Sequence, residues 1–186
     1  MAVQRKHPSA YVDESDVWTD EEYALGPEDE LCAWTKRRGD LDGPNRLFLS
    51  GYGFNIPSNA NITRVEIGIK SVSCNAYGLT YAGPMYFVLR FDDTDVTVSG
   101  IETDCPISCA DAAYYKTSDI TSILDHYGKL YPGFFNNEEF TSFCYQGGGI
   151  AIGNEGYLDA VYIEVEYTVP IVAKHISGDG LVWIVS

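Results

Sequence analysis

The sequence predicts an all-β fold, an antiparallel two-sheet sandwich of jelly-roll-like form with one short helix and extended terminal arms. Three observations predict it. Several segments alternate apolar and polar residues with a period of two, as in YLDAVYIEVEYTV at 157–169. Fourteen tyrosines and 18 glycines supply strand formers and strand punctuation. Turn-like clusters separate the alternating runs, and only SDITSILDHYG shows helical spacing.

Taken in order, residues 1–15 read as a flexible N-terminal arm. Asp13 to Glu30 holds nine acids and no base, but Trp18, Tyr23 and Leu25 interrupt it, so it reads as a docked loop rather than a free acidic tail. LCAWT at 31–35 suits a short strand, and LFLSGYGF at 47–54 a longer one. In the next strand, 62–72, Val65, Ile67 and Ile69 alternate with Arg64, Glu66 and Lys70. MYFVLRF places Met85, Phe87, Leu89 and Phe91 on one face, and DVTVSGI is a weaker strand. Ser118 or Asp119 is expected to cap the helix that carries Ile120, Ile123 and Leu124. FTSFCYQ and GIAIG are strands separated by glycines. In the last strand Val161, Ile163, Val165 and Tyr167 face one way, Glu164 and Glu166 the other, and Pro170 ends it. The sandwich domain therefore spans 16–170, and 171–186 forms a C-terminal tail.

A chain of 186 residues with 45% hydrophobic content can bury a core without staples. The net charge of −15 argues against nucleic acid as a partner, because phosphate binding needs a cationic surface. No apolar run reaches membrane-spanning length, so no membrane is expected as a partner. The first 15 residues lack the apolar core of a secretory signal, which reads as a protein made in a cytoplasm.

Candidate chemistry is sparse. His7, His126 and His175 are scattered, and the sequence holds no nucleophile elbow, zinc helix or phosphate loop. Asp92-Asp93-Thr94-Asp95 offers oxygen ligands for Ca²⁺, but a solvated turn is the better reading. Asn61-Ile62-Thr63 is a formal glycosylation acceptor. Cys105 and Cys109 sit in a polar stretch where they can pair, whereas Cys74 and Cys144 belong to strands and read as buried thiols. Trp18, Trp34 and Trp183 with the tyrosines admit a sugar-stacking role. No catalytic residue, cofactor or metal ligand is expected.

The order of motifs carries a resemblance. Gly53-Phe54-Asn55-Ile56-Pro57-Ser58 and Ile62-Thr63-Arg64-Val65-Glu66-Ile67 are similar to a phrase of the type gFsIPsgAtItGIeVeI. Leu158-Asp159-Ala160-Val161-Tyr162-Ile163-Glu164-Val165-Glu166-Tyr167 is similar to a closing phrase of the type a-x-vD-x-v-x-i-x-VyY. Together they resemble a β-sandwich domain of structural proteins of tailed bacteriophages and related viruses, over about residues 16–168. Arg64 stands where that family usually has a small residue.

The resemblance implies a non-enzymatic virion subunit, a head decoration, neck or tail component. Its partners would be copies of itself and other virion proteins, and its place the virion. A carbohydrate-binding module that meets a host-surface glycan, or a cell-surface filament subunit, is the alternative. The apolar pentad Leu181-Val182-Trp183-Ile184-Val185, beyond the hinge Gly178-Asp179-Gly180, is too apolar for water and is expected to be buried either on an edge of its own sandwich or, the favoured reading, on an edge or groove of a neighbouring subunit, which makes it the expected subunit contact. The basic stretch Arg5-Lys6-His7 is expected to meet another subunit's acidic face.

Overall fold

The computed structural model describes residues 1–13, 18–27, 31–36, 46–75, 85–98, 116–146, 154–171, 173–174 and 183–184. Its strands are β1 (Ala2–Lys6), β2 (Ala10–Asp13), β3 (Trp18–Thr19), β4 (Ala33–Lys36), β5 (Arg46–Ser50), β6 (Asn61–Asn75) and β7 (Met85–Phe91). There follow β8 (Thr94–Val98), β9 (Lys116–Asp119), β10 (Thr141–Gln146), β11 (Asn154–Thr168), β12 (Ala173–Lys174) and β13 (Trp183–Ile184). The first sheet runs β3-β4-β11-β6-β9, with β1 also on β11, and the second runs β2-β5-β10-β7-β8. All pairings in both sheets are antiparallel. Most connections cross from one sheet to the other, so each strand's apolar face meets strands distant in sequence.

The period-two pattern explains the core. Val65, Ile67, Ile69, Val161, Ile163 and Val165 of the first sheet are buried opposite Leu47, Leu49, Phe87, Leu89 and Phe91 of the second. The strands β6 and β11 pair along nearly their whole length, from Asn154↔Asn75 to Thr168↔Asn61. The two phrases that carry the family resemblance thus include the central pair of one sheet.

The sequence expectation and the structure differ in four places. The first is the N-terminal arm, which is built into both sheets. β1 pairs with β11 from Ala2↔Tyr167 to Lys6↔Ile163, and β2 pairs with β5 from Ala10↔Ser50 to Asp13↔Leu47. Edge strands gain backbone pairing without needing an apolar stripe, and so AVQRK and AYVD gave no alternation to read.

Second, the strand expected over 47–54 stops at Ser50. Gly51 and Gly53 take φ of +74° and +61°, which turn the chain out of the ladder. Tyr52, Phe54 and Ile56 are still buried alternately, and so the segment imitates a strand in sequence. Side chains replace the missing ladder. Glu138 accepts from the N–H groups of Gly51 (3.1 Å) and Gly53 (3.0 Å), and Asn136 bonds both the N–H and the carbonyl of Ile56.

Third, the helix α1 spans Thr121–His126 with Ile120 at its N-cap, and Ser118 and Asp119 belong to β9. Asp119 still serves the helix start from one residue upstream, accepting from the Thr121 N–H (2.9 Å) and hydroxyl (2.6 Å). Fourth, a second helix, α2 (Pro132–Asn136), follows it. Pro132 favours a first helical turn, but five residues are too few to show a period. α2 carries Phe134 and Phe135 into an aromatic cluster with Phe54, Phe91 and Phe140 that closes one end of the sandwich. The acidic stretch docks as expected where it is described: Trp18 and Ala24 are buried.

GIAIG, Cys105, Cys109 and His175 lie outside the described residues, as do the side chains of Cys74 and Cys144. Cys32 is disulfide-bonded, a pairing the sequence did not point to; its partner lies outside the described side chains.

Gly68 has a specific packing role. It pairs with Tyr162 across β6 and β11, and a Cβ added there would lie 2.1 Å from the Tyr162 ring. The tyrosine lies across the glycine, which covers an otherwise bare stretch of backbone. Gly68→Ala is expected to cost about 1–3 kcal/mol in urea unfolding. Combining it with Tyr162→Ala should restore part of that loss, since the second change removes the clashing ring.

Candidate assembly surface

The outward residues of β6 and β11 form a charged face. Arg64 is its centre. Its guanidinium donates to Glu166 (3.0 Å), Glu66 (2.5 Å) and Asp119 (3.3 Å), tying together β6, β11 and β9. The bond to Glu166 and the pair with Glu66 raise its pKa well above the ordinary arginine value. Glu66 also accepts from the Tyr162 hydroxyl at 2.8 Å. Burial raises the pKa of that phenol, and its bond to Glu66 raises it further. Arg64 therefore has a structural use, bridging three carboxylates on its own strand and the two beside it.

The strand β1 extends the same sheet beside β11, and its Arg5 reaches this face. Arg5 Nε donates to Glu164 at 2.8 Å, and its guanidinium stacks 4.0 Å from the Tyr162 ring centre. The acidic face that Arg5-Lys6-His7 was expected to find on another subunit is here on its own chain. His7 Nδ1–H donates to the Val161 carbonyl at 2.8 Å. Its ring is thus committed to holding the chain.

Further along, Lys70 and Asp159 form a buried ion pair, Nζ to Oδ2 2.8 Å, with side chains 9% and 0% exposed. The ladder shifts register between Leu158 and Ala160, and Asp159 is the extra residue. Such a bulge re-aims a side chain, here one that meets Lys70. Sequence reading misses this contact because the period-two rule fails at a bulge.

Other sequence candidates resolve as structure. Asp92 and Asp93 take φ of +47° and +58° in the hairpin turn between β7 and β8. Asp92 is paired to Lys129 and Asp95 to Arg90, and the turn expected here is present. No group of three or more metal-ligating side chains occurs among the described residues. Asn61, in the glycosylation triplet, is exposed at the start of β6. Trp18 is buried and supplies no sugar platform.

A shallow depression of about 650 Å³ lies beside α1, lined by Thr63, Arg64, Asp119, Ser122, Asp125 and Leu130 among others. Asp119 is saturated by Thr121 and Arg64. Ser122 and Asp125 make no hydrogen bond to another described side chain.

Of the expected subunit contact, Trp183 and Ile184 form β13, which pairs with β12 as Ala173↔Ile184 and Lys174↔Trp183. Among the described residues this two-strand pair is joined by backbone pairing to neither sheet of the sandwich. Leu181, Val182 and Val185 lie outside the described residues. Before the hairpin, Val169 and Ile171 are exposed, as are Met1 and Val3 of the paired N-terminus. Two further exposed apolar residues, Tyr11 and Val12, lie on β2, an edge strand of the second sheet. Exposed apolar residues on open edges are the usual marks of a surface that binds another chain.

Compared with protein-family models and with curated proteins, the sequence matches none.

The site carries a pH expectation. Its hydrogen bond from the Thr121 hydroxyl, with further donation from the Thr121 N–H and Arg64, holds the Asp119 carboxyl below the ordinary carboxylate range. The bond from Arg90 does the same for Asp95. A depressed folded-state pKa contributes stability that is present above the unfolded value and is lost as pH falls through the folded one. Unfolding free energy should therefore hold down to about pH 5 and decline below about pH 4. Chemical denaturation at stepped pH checks this, and Asp119→Asn should flatten the decline.

Proposed function

We propose that this chain is a non-enzymatic virion structural subunit, a head-decoration, neck or tail component that assembles through its sandwich and its terminal segments. The observation that carries the reading is the pair of family-like phrases, which contribute strands to a two-sheet sandwich. Arg64 pairs with Glu66, Glu166 and Asp119, and Arg5 with Glu164, so these charged side chains are engaged in joining neighbouring strands. The exposed apolar residues at the β1 and β2 edges add support, and so does the pairing of the described tail residues with each other, Ala173↔Ile184 and Lys174↔Trp183.

The contact assigned to the tail is Leu181 to Val185, presented to a neighbouring copy. Deleting residues 178–186 should leave the monomer folded, with unchanged circular dichroism, and abolish its assembly in light scattering. An intact assembly after that deletion would remove the tail from the interface.

One observation favours a second reading, a carbohydrate-binding sandwich. The depression beside α1 offers Ser122, Asp125 and Arg64 to a polyhydroxyl ligand. Shifts of α1 resonances on adding neutral oligosaccharides would support it, and unchanged spectra would dismiss it.

A further inference from the structure

The chain divides sharply between His7 and Pro8. From Pro8 onward it is anchored: Pro8 is buried and its carbonyl accepts from Gly26 N–H at 3.3 Å. Ser9 donates to Ser50 through its N–H (2.9 Å) and to Gly51 through its hydroxyl (2.7 Å). Ahead of that point β1 contributes no buried side chain, and Val3 is 51% exposed. Lifting β1 therefore uncovers little apolar surface.

The seat of β1 is nevertheless specific. β4 pairs with β11 only from Glu155 to Leu158, and β1 continues the same edge from Ile163 to Tyr167. The Gln4 amide bonds the main chain of Asn55 in both directions, donating to its carbonyl (2.7 Å) and accepting from its N–H (3.1 Å). Gln4 also donates to the Tyr167 hydroxyl at 3.1 Å. Arg5 adds its pair with Glu164 and its stack on Tyr162. Without β1, this edge is an open row of backbone groups fitted to one sequence.

We propose that in the assembled protein β1 is exchanged, so that the seat on β11 of one copy holds Ala2–Lys6 of a second copy. This rests on the assembly reading and adds to the tail a second segment, β1, that joins one copy to the next. An exchanged strand makes the same bonds as the strand it replaces, so exchange costs little and is favoured wherever copies are held at high local concentration. The pivot suits it. A residue before proline is driven toward extended backbone, which projects residues 1–7 straight away from Pro8. At about 3.3 Å per residue the arm spans on the order of 23 Å, enough to cross to an adjoining copy. The occupant is identified by the seat itself, since an unrelated strand would lack the paired amide and guanidinium.

Val3 faces Glu166 across the β1–β11 pair. Two single variants, V3C and E166C, are mixed, assembled and oxidised, and the disulfides are mapped by peptide mass. Each chain then holds one half of the pair, so a bond between positions 3 and 166 forms only across copies. Exchange is expected to give that bond in the mixture. A V3C/E166C double variant that assembles but closes the bond only within each chain, with none in the mixture, overturns the exchange and leaves assembly standing. A protein that stays monomeric by light scattering at every concentration overturns both.

Discussion

Asp159→Ala is expected to cost about 3–5 kcal/mol, because it leaves the Lys70 ammonium buried without the carboxylate at 2.8 Å. The two strands that the pair joins, β6 and β11, run side by side through the first sheet. Desolvation of two charges opposes their attraction, and so the pair itself contributes little net stability. The loss comes from orphaning one member. Lys70→Met/Asp159→Leu should therefore be far milder than Asp159→Ala alone, near neutral or stabilising. Urea unfolding of the two single variants and the double variant measures the coupling. A double variant as unstable as the sum of the singles would mean that Asp159 matters for the bulge geometry rather than for the charge it faces.

Phe87→Ala should have an effect of similar size, about 3–5 kcal/mol, by a different route. Phe87 is fully buried on β7, between β10 and β8, in the core between the two sheets. Removing its ring forfeits the transfer free energy and leaves a cavity that flanking strands cannot close without breaking ladder bonds. The loss should appear as a lower denaturant midpoint at nearly constant slope. A cost under 1 kcal/mol would mean that the sheets do not close on this residue.

The parts of the fold legible in the sequence were those where burial imposes a period. Val65, Ile67, Ile69 and Val161, Ile163, Val165 announce one buried face each, and both faces meet the core. β1 and β2 were illegible for the opposite reason. They are edge strands with exposed side chains, placed by backbone pairing that no residue pattern records. The segment 51–54 was misread because Tyr52 and Phe54 are buried alternately as in a strand while two positive-φ glycines break the ladder. On the outer face, the polar positions of β6 and β11 were legible as outward. That Arg64 gathers Glu66, Glu166 and Asp119, or that a bulge brings Asp159 to Lys70, depends on register, which alternation alone leaves free.

We propose that this chain works by assembling. Electron microscopy of the purified protein, with its mass measured by light scattering, tests it most directly. The expected result is a closed ring, trimer or lattice of repeating sandwich-sized units with a mass several times that of one chain. A uniform population of single chains at high concentration, with no particles on the grid, would contradict the account.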